Sequence, residues 1–262
     1  MKIQDFKRKK QQHEKICMIT CYDYPSACII AESAIDCVLV GDSVAMVVHG
    51  YDSTIMATME MMILHTSAVA KGIDKQFIVT DLPFLCHRIT LADTVLHVKQ
   101  LLQAGAHAIK IEGGDQDVCQ TISYLVKAGI PIMGHIGLTP QSILQLGGWK
   151  VQGKEPAEID NLLQQANQLE QAGCFALVIE CVPEQVAKII TDKLSIPTIG
   201  IGAGKATDGQ VLVWHDALGL QSKYNFRFVK QYTAGKEILL QGLNSFHNEV
   251  RQQEFPSIEH TF

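Results

Sequence analysis

The sequence has no apolar run long enough to span a bilayer, no C-x-x-C pair, no basic excess and no low-complexity linker. Each absence removes a class of protein. Without a continuous stretch of about 20 apolar residues, a helical membrane protein is not expected. A formal net charge of −5 over 262 residues leaves no basic face for nucleic acid. The one cationic cluster, Lys7–Arg8–Lys9–Lys10, reads as a solvated helix face. No apolar signal core follows it, so the expected compartment is the cytoplasm. The eight cysteines lie mostly inside apolar runs and lack metal-ligand spacing. They read as reduced, buried thiols rather than a zinc site.

What is present is a chain with 47% hydrophobic and 19% charged residues, the composition of a globular protein with a full core. Eight short apolar runs read as strands: 16–21, 37–42, 77–81, 108–112, 131–135, 176–180, 197–201 and 211–215. Segments of helical length separate several of them, at 91–104, 117–128, 156–172 and 184–194. Two of these helices run into a glycine stop, at Gly105 and Gly173. Strand–helix alternation predicts a parallel sheet, and eight units in this length predict an α/β protein of the (β/α)8 TIM-barrel class. The expected layout is a single domain over 1–262, with a barrel core at about 16–216 and a C-terminal outer helix and tail over 225–262. The helix itself is expected at roughly 228–252. The link between 201 and 211 is too short for a proper helix. The glycine-containing stretch 137–154 is the long loop that in a barrel covers the site.

Several strands end in an acid: Asp42, Asp81, Glu112 and Glu180. A buried strand end gains little from a charge unless a cation compensates it. Side chains alternate along a strand, so Val38, Val40 and Asp42 are expected on one face. Phe77, Val79 and Asp81 share a face, as do Ala108, Lys110 and Glu112, Met133 and His135, and Val178 and Glu180. One choice of face sends Asp42, Asp81, Lys110, Glu112, His135 and Glu180 to the same rim. Oxygen ligands of this kind favour Mg2+ over zinc, and a 2-oxo acid on such an ion is polarised toward an enolate. Lys110 reaches the same oxygens, or else pairs structurally with one carboxylate. Glu180 follows an apolar run and is either a proton acceptor or half of an ion pair. Ser43 is either a site residue or a helix cap, and His135 either a ligand contact or a core histidine.

The glycine run at 200–204 followed by Lys205 fits neither phosphate motif. A P-loop needs Gly at 199 and Ser or Thr at 206, where Ile199 and Ala206 stand. The dinucleotide pattern needs Gly at 205. The glycines are expected to serve a tight turn close to a ligand, with backbone amides as a secondary expectation for binding an anionic substrate.

Eight motifs occur in order: Val-Gly-Asp-Ser at 40–43, Gly-Tyr-Asp-Ser-Thr at 50–54, Asp-Leu-Pro-Phe at 81–84, Lys-Ile-Glu-Gly-Gly at 110–114, Gly-His-Ile-Gly-Leu-Thr-Pro-Gln-Ser at 134–142, Val-Gln-Gly at 151–153, Glu-Cys-Val-Pro at 180–183 and Ile-Gly-Ile-Gly-Ala-Gly at 199–204. Together they resemble the ketopantoate hydroxymethyltransferase family over about 16–215. The resemblance implies a (β/α)8 barrel and transfer of a hydroxymethyl group from 5,10-methylenetetrahydrofolate to 3-methyl-2-oxobutanoate. That reaction gives 2-dehydropantoate through a Mg2+-stabilised enolate, the first committed step of pantothenate synthesis. It implies Asp42, Asp81 and Glu112 around the metal, Asp42, Ser43, Asp81 and Lys110 on the oxo acid, and Glu180 as the base. It also implies a homo-oligomer, a decamer in this family. Two stretches depart from the family pattern: 220–228 lacks the usual Pro, and Cys86–His87–Arg88 is unusual. The nearest alternative is a Mg2+-dependent lyase or mutase of the phosphoenolpyruvate mutase and isocitrate lyase type, which needs a cysteine on a mobile loop. The 137–154 loop has none.

Overall fold

The computed structural model describes residues 1–221 and 226–262. Part of the divergent 220–228 stretch therefore lies outside the described residues. Eight parallel strands close into one barrel in chain order. They are β1 (Ile16–Thr20), β2 (Cys37–Val40), β3 (Phe77–Asp81), β4 (Ala108–Glu112), β5 (Ile132–Gly137), β6 (Ala176–Glu180), β7 (Thr198–Ile201) and β8 (Gly209–Leu212). The described residues form two compact units, Met1–Leu212 and Val213–Phe262. The first contains every strand. The second contains the short helix Trp214–Ala217 and the long helix Gly235–Gln252.

Some helices outside the barrel start on side-chain caps. Thr90 accepts the Asp93 amide at 3.2 Å at the head of Leu91–Gln103, and Asp115 accepts the Asp117 and Val118 amides at 3.1 and 3.2 Å before Gln116–Lys127. Pro156–Ala172 ends on Gly173 at φ 99°, a left-handed turn that glycine adopts without strain. No helix is assigned between β7 and β8, in line with the short link there.

Three elements differ from the sequence-based expectation. β8 lies at Gly209–Leu212, not 211–215. Its register is set by close approach to β1, because a Cβ on Gly209 would stand 2.4 Å from the Ile16 carbonyl oxygen. The long helix begins at Gly235 rather than near 228. There the chain folds back so tightly that a Cβ on Gly235 would stand 2.4 Å from the Leu218 carbonyl oxygen. Finally, the basic cluster belongs to the helix Ile3–Gln11, whose Phe6 is fully buried. Phe6 meets Phe77 and Phe175 edge-on, with ring centroids 5.3 and 5.0 Å apart, at the lower end of the barrel interior. Lys9 pairs with Asp36 at 3.0 Å and Lys10 with Asp208 at 2.7 Å. The cluster thus clamps a plug onto the barrel instead of forming a purely solvated face.

Candidate active site

Alternation sends the interior layers upward toward the acids on four strands. Phe77 and Val79 lead to Asp81, Ala108 to Lys110 and Glu112, Met133 to His135, and Ala176 and Val178 to Glu180. Register aligns them, with Asp81 opposite Lys110, Glu112 opposite His135, and Gly137 opposite Glu180. β2 behaves differently. Its interior residues are Cys37 and Leu39, so Val38 and Val40 face the helix layer. The strand stops at Val40, and the turn of Gly41, Asp42 and Ser43 brings Asp42 back to the rim. Asp42 therefore reaches the site through a turn and not by sharing a strand face with Val38 and Val40.

All six side chains are buried, Glu180 being the most exposed at 9%. The Asp42 amide donates to Asp81 Oδ2 at 3.0 Å, and Lys110 Nζ lies 3.0 Å from Asp81 Oδ1. Glu112 Oε1 sits between Lys110 and His135, 3.7 Å from Lys110 Nζ and 3.3 Å from His135 Nδ1. Lys110 Nζ and His135 Nδ1 are themselves 3.1 Å apart. On the other side of the ring, His135 Nε2 lies 3.3 Å from Glu180 Oε2. Ser43 makes no capping bond; its Oγ meets the Tyr22 hydroxyl at 2.7 Å.

One further residue of the 134–142 motif joins the cluster. Gln141, on the turn after β5, donates its amide N–H to Glu112 Oε2 at 3.1 Å. Its Nε2 donates to Asp42 Oδ2 at 2.9 Å and to the Leu82 carbonyl at 3.0 Å. It ties two acids from distant strands together. No local signal marks it, because its partners lie 29 and 99 residues away in sequence. Tyr22, two residues past the end of β1, carries no local signal either, its partner Ser43 lying 21 residues away.

Burial, then Asp81 and Glu112, push the Asp42 carboxyl well above the usual carboxylate range. Burial also raises Asp81, by more than Lys110 and the Asp42 amide lower it. Burial works against the Lys110 ammonium, yet Asp81, Glu112 and Asp42 hold its pKa above the ordinary lysine value. Burial would raise Glu112, but His135, Lys110 and the Gln141 amide keep it low. Burial and Lys110 oppose charge on His135, while Glu112 and Glu180 push it up to about 9. Four carboxyls thus converge on one lysine and one histidine. Asp42 and Asp81 are the two whose charged form burial disfavours on balance, and a divalent cation with oxygen preference, which would favour that form, fits this donor set. Among the described residues, no three His, Cys, Asp or Glu side chains converge tightly enough to enclose an ion as they stand.

The glycine run after β7 turns against the helix Glu184–Lys193. Gly204 has φ +75°, and a Cβ there would strike the Glu184 side chain at 2.4 Å. A tight turn accounts for these glycines.

The ketopantoate hydroxymethyltransferase family profile matches residues 1–258. The chain belongs to the ketopantoate hydroxymethyltransferase family. A 3-methyl-2-oxobutanoate hydroxymethyltransferase of Legionella pneumophila (strain Lens) is 68% identical over 262 residues, covering 100% of both chains. One of Coxiella burnetii (strain CbuK_Q154) is 49% identical over 259 residues, covering 99% of this chain and 97% of the relative. Among solved structures, a phosphonopyruvate hydrolase in complex with oxalate and Mg++ superposes with TM-score 0.65 at 10% identity, over 99% of this chain and 93% of that one. A 2,3-dimethylmalate lyase, a member of the phosphoenolpyruvate mutase and isocitrate lyase superfamily, gives 0.60 at 14% identity, over 98% and 89%. At such identities the likeness is one of fold. Among the described residues, no helix is long and apolar enough to cross a membrane.

Proposed function

We infer that the barrel rim transfers a hydroxymethyl group from 5,10-methylenetetrahydrofolate to 3-methyl-2-oxobutanoate, giving 2-dehydropantoate. The observation that supports it is the meeting of Asp42, Asp81, Lys110, Glu112, His135 and Glu180 at one barrel mouth, in a chain of this family. Asp42 and Asp81, with Glu112 alongside, would hold a divalent ion such as Mg2+. Bound there, the ion would supply Lewis acidity to the keto oxygen of the substrate.

The chain's own groups do the rest. Lys110, held charged by its carboxylates, offers N–H donors to the oxo acid, together with the Ser43 hydroxyl. Glu180 takes the proton from C3. His135 against its Oε2 fixes the orientation of that carboxylate. C3 then bonds to the methylene carbon of the donor. The two bonds from that carbon to the donor nitrogens are replaced by the new C–C bond and by a hydroxyl from water. Tetrahydrofolate leaves with two protons, one originating at C3 and one from water.

A Schiff-base aldolase through Lys110 is disfavoured, since that route needs the neutral amine and three carboxylates favour the ammonium. The lyase and mutase alternative shares the fold with the solved neighbours. It lacks the loop cysteine, because 137–154 contains none.

The test is deuterium exchange at C3 of 3-methyl-2-oxobutanoate without folate. Glu180→Gln should slow exchange by about 100-fold or more while oxo-acid binding persists. Exchange at the wild-type rate would remove Glu180 from the base role. Chelation should abolish exchange and added Mg2+ restore it; chelator-insensitive exchange would remove the metal.

A further inference from the structure

The three carboxylates that would hold the ion come from separate segments: Asp42 from the turn after β2, Asp81 from the end of β3 and Glu112 from the end of β4. A cation gains most from carboxylates already held in place, because a mobile one must be ordered on binding. The Asp42 amide ties two of them by donating to Asp81 Oδ2 at 3.0 Å. Lys110 pairs with Asp81 and Glu112, at 3.0 and 3.7 Å. The Asp42 carboxylate is held by Gln141 instead, whose Nε2 donates to Oδ2 at 2.9 Å. The backbone amide of Gln141 donates to Glu112 Oε2 at 3.1 Å. Gln141 thereby completes a chain of uncharged donors that runs from Asp81 through Asp42 to Glu112. Its carboxamide orients a carboxylate without cancelling the charge that draws a cation.

Gln141 is itself fixed. It is buried in the short turn Pro140–Ser142, which the proline stiffens. Its second Nε2 proton goes to the Leu82 carbonyl at 3.0 Å. Both partners of Nε2 only accept, so the carboxamide must present its nitrogen to them and turn Oε1 the other way. Oε1 is buried without a hydrogen-bond partner and can only accept. A hard cation that keeps some of its waters brings O–H donors of the matching kind. In the same loop the Leu138 amide donates to the Glu180 carbonyl at 2.8 Å, so the segment is pinned to β6 as well. Gln141 and Glu112 also line a cavity beside the cluster, which places this tie at the wall of the site. We propose that Gln141 is a positioning residue for the divalent cation: its N–H groups hold the Asp42 and Glu112 carboxylates ready for the ion and so set how tightly the ion binds. This role rests on the metal inferred above.

Gln141→Met keeps the length of the side chain, removes its donors and Oε1, and leaves the backbone amide to Glu112. Gln141→Asn keeps a carboxamide but shortens its reach. Thr191→Val is the control for general loss of stability. It removes a buried hydroxyl contact of 2.7 Å with Thr198 at the start of β7, the far end of that strand from the rim. With the full-length chain, Mn2+ binding is read from the EPR signal of the free ion without substrate. C3 exchange in the oxo acid is then followed against Mg2+ concentration. Both Gln141 variants should bind Mn2+ about 10- to 100-fold more weakly and need correspondingly more Mg2+ for half-maximal exchange. At saturating Mg2+ exchange should return to within about threefold of wild type, because the loss lies in metal binding. Thr191→Val should match wild type in both measurements. Wild-type Mn2+ affinity in both Gln141 variants would overturn the role. So would an equal loss in Thr191→Val, or a loss of exchange that no Mg2+ concentration restores. Failure of the wild-type chain to bind Mn2+ is a separate result, which would remove the metal and the role of Gln141 with it.

Discussion

His135 sits where the charges of the site meet. One ring nitrogen lies 3.3 Å from Glu112 and the other 3.3 Å from Glu180, so the ring links an acid that Lys110 also approaches to the acid assigned as base. The sequence alone leaves this residue between a core histidine and a site residue. Only the register of β5 against β4 and β6 puts a carboxylate on each side. His87 shows the opposite electrostatics. Burial, then Arg88, lower it to about 4. The folded chain keeps it neutral, whereas an unfolded histidine titrates near 6.5. Its contribution to stability is therefore full above about pH 6.5 and is lost as pH falls toward 4, a change on the order of 3 kcal/mol at most. Urea unfolding of wild type and His87→Gln across that range measures this. The wild type should show the steeper decline, and equal slopes would mean that His87 does not titrate in this way.

Strands and helices divide the information differently. On β3, β4, β5 and β6 alternation places the acids and Lys110 correctly, because an interior face with period two continues straight to the rim. β2 breaks the rule because the strand ends two residues before Asp42 and a turn supplies the rest. Alternation cannot see a turn. The helix Ile3–Gln11 shows a different gap. Its charges are evident in sequence, but its purpose depends on Phe6 entering the barrel between Phe77 and Phe175. Phe6→Ala should cost about 3–5 kcal/mol by opening that space, seen as a lower urea midpoint. A loss below about 1 kcal/mol would show that the helix does not close the barrel.

At the scale of the whole molecule, the helix Gly235–Gln252 leaves Leu239, Leu243, Phe246 and Val250 exposed at helical spacing. A row of this kind marks an interaction surface, and the family resemblance implies assembly of several copies. Paired Leu243→Asp and Phe246→Asp changes should shift the protein to a smaller species in sedimentation velocity. An unchanged sedimentation coefficient would place assembly elsewhere.

By itself the sequence determined the closed strand order, the helices between the strands and the family, because apolar period, capping residues and in-order motifs are local properties of the chain. It also determined which residue types could perform the chemistry. The tertiary structure alone decided how they are wired: Asp42 entering by a turn, Gln141 spanning residues 29 and 99 positions away, Glu112 shared by Lys110 and His135, and a cavity beside them. The reason is physical. Burial and proximity set the charge on each of these groups, and both are created only when distant segments close into a barrel.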